Sequence, residues 1–134
     1  MLKTLIMDKL YFYRNIIEEK HRIVLEQGSL AKCKPSVDNS FLIEQKTSGI
    51  NRAVDCATKV INHDCFKQTP LEEFDNIILN VHGGYDLKLY EVDEIVAKIK
   101  DECREDINLI VAWTIDSNLN SYVLLKMLAC KDSI

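Results

Sequence analysis

The residue pair Gly83-Gly84 stands in a context where many phosphate-binding loops begin. It follows an apolar run of strand length at residues 76–82 and precedes an amphipathic helical pattern. In such loops, glycines let backbone amides at a helix start approach a phosphate group. A dinucleotide-binding loop needs the spacing G-x-G-x-x-G, and a Walker loop needs G-x-x-x-x-G-K-[ST]. Neither spacing occurs in this chain, so the signal for a nucleotide site is weak.

The residues after the glycines favour a structural turn instead. Asp86 would bring a negative charge to the place where a phosphate would bind, and the two charges would repel each other. Adjacent glycines can adopt positive φ and turn a strand end sharply towards the next helix. Asp86 or a neighbour can then accept hydrogen bonds from the free amides at the helix start. We predict a structural turn formed by Gly83, Gly84 and Asp86.

A second group with ligand chemistry consists of Cys56, His63, Asp64 and Cys65. Its C-x6-H-D-C spacing differs from zinc sites, which usually pair ligands two to four residues apart and use four of them. Both cysteines fall on or near one predicted helix, and no second ligand pair follows. We therefore expect buried or incidental thiols and no metal site. The sequence also shows no Ser-His-Asp or Cys-His nucleophile signature.

The composition is that of an ordinary globular protein. Among the 134 residues, 47% are hydrophobic and 28% are charged, with a net charge of −4, which argues against disorder and against nucleic-acid binding. No run approaches the roughly 18 to 20 apolar residues that span a bilayer, and the first residues do not form a signal-peptide pattern. The five cysteines are odd in number and form no C-x-x-C pair, which is typical of a reducing compartment. We expect a cytoplasmic protein without direct membrane insertion.

Hydrophobic periodicity predicts the elements that position these residues. An apolar stripe with a 3.6-residue repeat over residues 2–26 predicts a long amphipathic helix, and segment 28–40, rich in turn-forming residues, predicts a linker. Residues 1–40 would thus precede a second unit at residues 41–134. Within that unit we predict strands at residues 41–45, 76–82, 108–115 and 122–128, and helices from near Ser48 and over residues 90–103.

This order of elements predicts an α+β fold. We expect a two-layer sandwich with a sheet of about four strands and two helices on one face, preceded by the long N-terminal helix. The last two strands are joined by a short polar turn, which predicts an antiparallel hairpin. The other sheet face would meet water or be covered by the N-terminal helix. On the first helix of the unit, the predicted apolar face is Ile50, Ala53, Val54, Ala57, Val60 and Ile61.

Four motifs follow one another over residues 47–130 in the order and at the intervals of a known family. They are Arg52-Ala53 with Ala57, the run from Asn80 to Glu91 that contains Gly83-Gly84 and Asp86-Leu87, the run Asn108-Leu109-Ile110 with Asp116 and Leu119, and the strand at residues 123–130. Together they resemble the C-terminal domain of FtsZ, the bacterial tubulin-like cell division GTPase. The departures from the family pattern are His82, Ala112 and Lys131, which affect local backbone geometry rather than the fold.

The resemblance implies a domain that does not hold GTP or Mg²⁺ alone. In that family GTP binds a separate N-terminal domain, in a loop of the type G-G-G-T-G-T-G that does not occur in these 134 residues. The family's C-terminal domain supplies an acidic loop, N-x-D-F-x-D, to the nucleotide of a neighbouring subunit. If residues 5–38 correspond to the preceding helix and this loop, Asp38 is the catalytic candidate, acting only in trans, and Phe41 falls at or beside the second acidic position. The sequence stops just after its last strand, so the family's flexible tail is expected to be missing.

Two functions fit the resemblance. The first is an assembly or interaction module, associated with bacterial cell division, whose partners are FtsZ-type GTPase subunits or further copies of itself. The alternative is a truncated or diverged FtsZ GTPase that contributes to GTP hydrolysis in trans through Asp38. A gene remnant without a selected role is a third possibility. Phosphoryl transfer requires phosphates and Mg²⁺ to be held in place, so we favour the module.

Overall fold

The computed structural model describes residues 22–26 and 39–131, which form an α+β fold in two layers. Its mixed sheet has five strands in the spatial order β1-β4-β3-β5-β2. No helix in this part of the chain is long and apolar enough to cross a bilayer. The strands are β1 (Arg22–Glu26), β2 (Ser40–Ser48), β3 (Asn76–Gly83), β4 (Asn108–Ile115) and β5 (Tyr122–Cys130). The helices are α1 (Arg52–Ile61), the short α2 (Cys65–Gln68) and α3 (Leu89–Asp101), and single 3-10 turns occur at Leu71–Glu73 and Ser117–Leu119.

Strand β1 adds a fifth strand to the four that the sequence predicts. It pairs antiparallel with β4, with Ile23 opposite Trp113. The helix predicted over residues 2–26 is therefore wrong for its last five residues. The β-branched pair Ile23-Val24 suits a strand once the edge of β4 is available, and this tertiary pairing overrides the local helical period. Residues 2–21 of the predicted helix lie outside the described residues, and the domain boundary at residue 40 stays a prediction.

The strand order separates the two strands that the sequence predicts to pair. Residues 116–121 join β4 to β5, yet β3 lies between these strands. β3 pairs parallel with β4 and antiparallel with β5, and β5 pairs antiparallel with β2. The predicted β4–β5 hairpin is therefore wrong. The physical reason is the composition of β3, whose side chains are buried on both faces, as is typical of a strand in the middle of a sheet.

Helices α1 and α3 pack on one face of the sheet and form the larger core. This core consists of the buried side chains of the helices and of every second strand residue, whose side chain points to the face that the helices cover. α3 buries Val92, Ile95 and Ile99, as its periodicity predicts. The strand residues of this core are Ile43, Ile77, Leu79, Val81, Leu109, Val111, Val123, Leu125, Met127 and Ala129.

Helix α1 differs from its prediction at its N-terminal end. It begins at Arg52 rather than near Ser48, because the chain turns first at Gly49, where φ is 100°. Ile50 lies in that turn and is 99% exposed, and Val54 is exposed as well. The apolar face is therefore shifted, and its buried residues are Ala53, Cys56, Ala57 and Val60.

The opposite face of the sheet carries a second, smaller buried cluster. The face is therefore shielded from water at these positions. Towards the carboxyl end of β3 it becomes polar, and Thr114 donates a hydrogen bond to Asn80 Oδ1 at 3.1 Å. His82 is the next residue of β3 on this face. The residues of the apolar cluster are Ile78, Ile110, Ala112, Leu128 and Cys130.

His82 is expected to make the stability of this sheet depend on pH. Its Nε2 atom is buried and has no hydrogen-bond partner among the described residues. Burial, together with the nearby Lys126 charge, lowers its pKa from 6.5 to about 4, so the unfolded chain takes up a proton at a higher pH than the folded chain does. The contribution of neutral His82 to stability is fully present above pH 6.5 and is lost as the pH falls towards 4. We predict a loss of up to about 3 kcal/mol over this window.

Denaturant unfolding at about pH 7 and about pH 4.5 measures that loss. In His82→Leu the loss shrinks, because the side chain no longer titrates in either state. In His63→Gln, which alters an exposed histidine, the loss remains. An equal pH dependence in His82→Leu and the parent chain would contradict the prediction.

Candidate functional site

The carboxyl ends of three strands and the start of a fourth meet at one end of the sheet. β2, β3 and β4 run in the same direction, since β3 is parallel to β4 and both β2 and β3 are antiparallel to β5. The turn into α1, the loop from β3 to α3 and the turn from β4 to β5 therefore lie at the same end. We call this region, residues 48–54, 83–91 and 115–122, the sheet end.

A buried arginine connects the three segments of the sheet end. Arg52, the first residue of α1, is only 7% exposed. Its guanidinium donates two bonds to Glu91 of α3, from Nε to Oε2 at 2.7 Å and from Nη2 to Oε1 at 3.0 Å. It also donates from Nη1 to Asp86 Oδ2 at 3.0 Å and from Nη2 to the Asp86 carbonyl oxygen at 3.2 Å. Asp86 Oδ2 accepts a further bond from the Ser121 amide at 2.9 Å, so one cluster spans all three segments.

Every ionisable member of this cluster is stabilised in its charged form. The hydrogen bond from Arg52 lowers the pKa of Glu91 despite the opposing effect of burial. The Ser121 amide and then Arg52 lower the pKa of Asp86. The pKa of Arg52 is raised, chiefly by its bond to Glu91. A guanidinium matches a carboxylate with two parallel bonds, as no lysine can. Because the guanidinium is engaged within the chain, the cluster is suited to fixing loops rather than to binding an anion.

Close packing, not positive φ, accounts for the two glycines of the β3–α3 loop. A Cβ atom at Gly84 would lie 2.8 Å from both the backbone N and the Cα of Asn120. A Cβ atom at Gly83 would lie 2.8 Å from Cβ of Leu87. Among the described glycines, φ is positive only at Gly49. Neither Gly83 nor Gly84 therefore uses the positive φ that a glycine can adopt. The missing side chain makes room for Asn120 of the β4–β5 turn at Gly84 and for Leu87 at Gly83.

The two amides that precede α3 are bonded within the chain. The Lys88 amide donates to Glu91 Oε1 at 3.2 Å, and the Leu87 amide donates to the Gly84 carbonyl at 3.2 Å. Glu91, rather than Asp86, thus caps this helix. A phosphate placed here would meet two carboxylates beside amides that already have acceptors. These contacts support a structural role for the loop.

Asp116 organises the neighbouring turn between β4 and β5. Its amide donates to the Gly83 carbonyl at 2.8 Å, and its Oδ1 accepts a bond from the Asn118 amide at 3.0 Å. This is the local backbone bonding that makes Asp favourable in turns. Ser121, at φ 75°, ends the turn and directs its amide to Asp86. The turn is therefore attached to the β3–α3 loop at two points.

The residues that make these contacts are largely those of the four sequence motifs. A family model described as the FtsZ family, C-terminal domain, matches residues 41–131. The chain belongs to the FtsZ family. Cell division protein FtsZ of Magnetospirillum gryphiswaldense is 30% identical over 84 residues, which are 63% of this chain and 15% of that protein. Cell division protein FtsZ of Wolbachia pipientis is 27% identical over 84 residues, which are 63% of this chain and 27% of that protein. The chain therefore spans 15% and 27% of the lengths of these two relatives.

Solved FtsZ structures from M. jannaschii share the fold. A mutant FtsZ superposes with a TM-score of 0.72 at 18% sequence identity, over 96% of this chain and 39% of that chain. An empty FtsZ dimer superposes with a TM-score of 0.67 at 19% identity, over 87% of this chain and 34% of that chain. At these identities the likeness establishes the architecture, which agrees with the predicted FtsZ-type α+β domain.

The other described candidates from the sequence make no hydrogen bond to the Arg52 cluster. Asp38 lies outside the described residues, and its role as a carboxylate acting in trans stays a prediction. Cys56 is buried, donates to the Gln45 carbonyl at 3.5 Å, and has a pKa that burial raises to about 11. His63 is exposed, and its Nδ1 accepts a bond from the Cys65 amide at 3.2 Å. Within residues 22–26 and 39–131, no three metal-ligating side chains come together.

The sheet end also carries exposed apolar side chains, although the sequence pattern places two of them, Ile50 and Val54, on the apolar face of the first helix. Eight large apolar side chains are exposed in the described part of the chain, and of these only Phe41 lies elsewhere. Ile50 and Tyr85 lie in turns, and Leu89 and Tyr90 are the first two residues of α3. Such a concentration is typical of a protein contact surface. We call it the apolar patch, and its residues are Ile50, Val54, Tyr85, Leu89, Tyr90, Ile115 and Tyr122.

Replacing Glu91 tests the importance of the Arg52 cluster for folding. Glu91→Gln keeps the size of the side chain but leaves the buried guanidinium with only the partly exposed Asp86 as an anionic partner. We predict a loss of roughly 3 kcal/mol in the free energy of unfolding, measured by denaturant titration near pH 7. Glu94→Gln, at an exposed position of the same helix, serves as the matched control and should change stability little. A loss in Glu91→Gln no larger than in this control would refute the prediction.

Alanine substitutions distinguish the two loop glycines. Gly84→Ala forces its Cβ against two backbone atoms of Asn120, whereas Gly83→Ala meets only side-chain atoms of Leu87, of which the Cβ alone is fixed to the backbone. We predict that Gly84→Ala destabilises the fold by about 2 kcal/mol and that Gly83→Ala costs less. Thermal or denaturant unfolding of the two variants provides the comparison. The reverse order of stabilities would show that contact with Asn120 is not what requires a glycine.

Proposed function

We propose that this FtsZ-family domain is an interaction module on tubulin-like GTPase filaments and that the apolar patch contacts an FtsZ-type subunit. The patch is the observation that carries the proposal. Its residues belong to three segments whose relative positions are fixed by Arg52, so the surface is presented rigidly. Preorganised apolar surfaces of this kind lose little entropy on association.

The chemistry of the sheet end favours this function over nucleotide binding. The Leu87 and Lys88 amides have acceptors within the chain, and Asp86 and Glu91 would repel a phosphate. The 134 residues also contain no G-G-G-T-G-T-G loop. In this proposal GTP and Mg²⁺ are held by the partner subunit, in the cytoplasm where that subunit assembles, and the module changes how such subunits associate.

The test mixes the purified chain with full-length FtsZ from the same source. GTP turnover and filament sedimentation are recorded together. We expect the chain alone to bind and hydrolyse no GTP, and we expect it to sediment with the filaments. In Tyr85→Asp/Tyr90→Asp, co-sedimentation should fall by about tenfold, because exposed aromatic side chains dominate such contacts. Lys98→Asp, at an exposed position near the other end of α3, is the control and should sediment as the parent chain does.

Three outcomes would count against the proposal. GTP turnover that scales with the concentration of the isolated chain would show an independent GTPase. Stimulation of FtsZ turnover that disappears in Asp38→Ala would favour the alternative, a contribution to hydrolysis in trans. If neither sedimentation nor turnover changes when the parent chain is added, the module function is excluded for that partner.

A further inference from the structure

Strand β2 forms one edge of the sheet in the described part of the chain. It pairs with β5 along nine residues without a bulge or a proline. The Lys131 amide donates to the Asn39 carbonyl at 2.8 Å, and these residues continue the β2–β5 register. By the alternation of an antiparallel ladder, odd-numbered residues of β2 bond to β5 and even-numbered residues direct their amides and carbonyls outwards. The outward groups belong to Leu42, Glu44, Lys46 and Ser48.

The side chains on this edge carry both signs of charge at matching positions. Glu44 and Lys46 are exposed and lie two residues apart on the same face of the sheet. Their existing contacts are weak: Glu44 lies 3.4 Å from Lys126 Nζ, and the ammonium of Lys46 lies 4.5 Å from the centre of the Tyr122 ring. Among the described residues, the side-chain bond that the Lys46 carbonyl accepts is a long one, 3.4 Å, from the neighbouring Gln45. These side chains can therefore turn towards a second strand at small cost.

We propose that β2 pairs antiparallel with β2 of a second copy of this chain, about a two-fold axis through Gln45. In this register Glu44 of each copy lies directly opposite Lys46 of the other, so each interface contains two complementary pairs. Glu44 and Lys46 are both even-numbered, so their amides and carbonyls both point out of the sheet edge. The two residues of each pair can therefore exchange backbone hydrogen bonds, as antiparallel pairing requires. The symmetry is isologous, and one continuous sheet results, with the helices of both copies on the same face.

The charge pattern of this edge agrees with this occupant rather than with an unrelated peptide. Edge strands that avoid pairing often carry lysines, whose like charges repel a second copy. Here the two signs alternate, so a second copy in this register meets attraction at both pairs.

Charge reversal in separate chains tests the proposal without disturbing the fold. Glu44→Lys places like charges opposite each other in its own dimer, and so does Lys46→Glu. Each variant alone is expected to dimerise at least about tenfold more weakly than the parent chain. In an equimolar mixture, the edge with two lysines meets the edge with two glutamates, so opposite signs face each other again and dimers should be restored. Sedimentation equilibrium across a concentration series, with one variant carrying a mass tag, measures the self- and mixed-association constants.

The controls are Glu94→Lys and Lys98→Glu, which make the same charge changes on α3 and should leave dimerisation unchanged. Denaturant unfolding confirms that each variant remains folded. The proposal is overturned if the parent chain stays monomeric at high concentration, if the single variants dimerise as it does, or if mixing restores nothing. None of these measurements includes FtsZ, so failure here is distinct from failure of the proposed function.

Discussion

A guanidinium can be buried only where carboxylates and carbonyls surround it, and this constraint holds the sheet end together. An uncompensated buried charge costs several kcal/mol, so the folded state requires that Arg52 meet its partners. Those partners are distant in sequence: Glu91 is 39 residues away and Asp86 is 34 residues away. Asp86 binds the amide of Ser121 at a further separation of 35 residues. One buried ion cluster therefore specifies which turns of the chain must be neighbours.

The β3–α3 loop that carries part of the apolar patch is attached to its surroundings at several points. Arg52 binds Asp86 of this loop, the Gly84 backbone lies directly against Asn120, and the Leu87 side chain is buried in the larger core. Tyr85 and Tyr90, which flank these residues, remain exposed. Exposed aromatic side chains on an attached loop are the combination that a preorganised contact surface requires.

Sequence alone predicts the parts of this fold that rest on local patterns. The strands near residues 76–82 and 108–115 and the helix near 90–103 are confirmed because their apolar spacing is regular. Pairing between strands is not set by local sequence. The predicted β4–β5 hairpin is wrong because β3 lies between these strands, and residues 22–26 form a strand because they pair with β4. The motif residues of the sheet end follow from the family resemblance, yet no spacing reveals that Arg52 reaches Glu91. The apolar patch was not predictable either: Ile50 and Val54 fit the helical repeat and were expected on its apolar face, and Tyr85 lies in a turn outside any repeat.

The two proposed contact surfaces lie in different directions on one sheet and touch at a single place. The apolar patch lies at the ends of the strands, and the β2 edge runs along a strand, so partners at the two surfaces approach from roughly perpendicular directions. They meet where the Lys46 ammonium lies over the ring of Tyr122. Pairing of β2 edges would draw Lys46 towards Glu44 of the second copy and uncover the face of Tyr122, a member of the apolar patch. Self-association would thereby enlarge the apolar surface offered to a filament subunit, so that the two associations reinforce each other through one side chain.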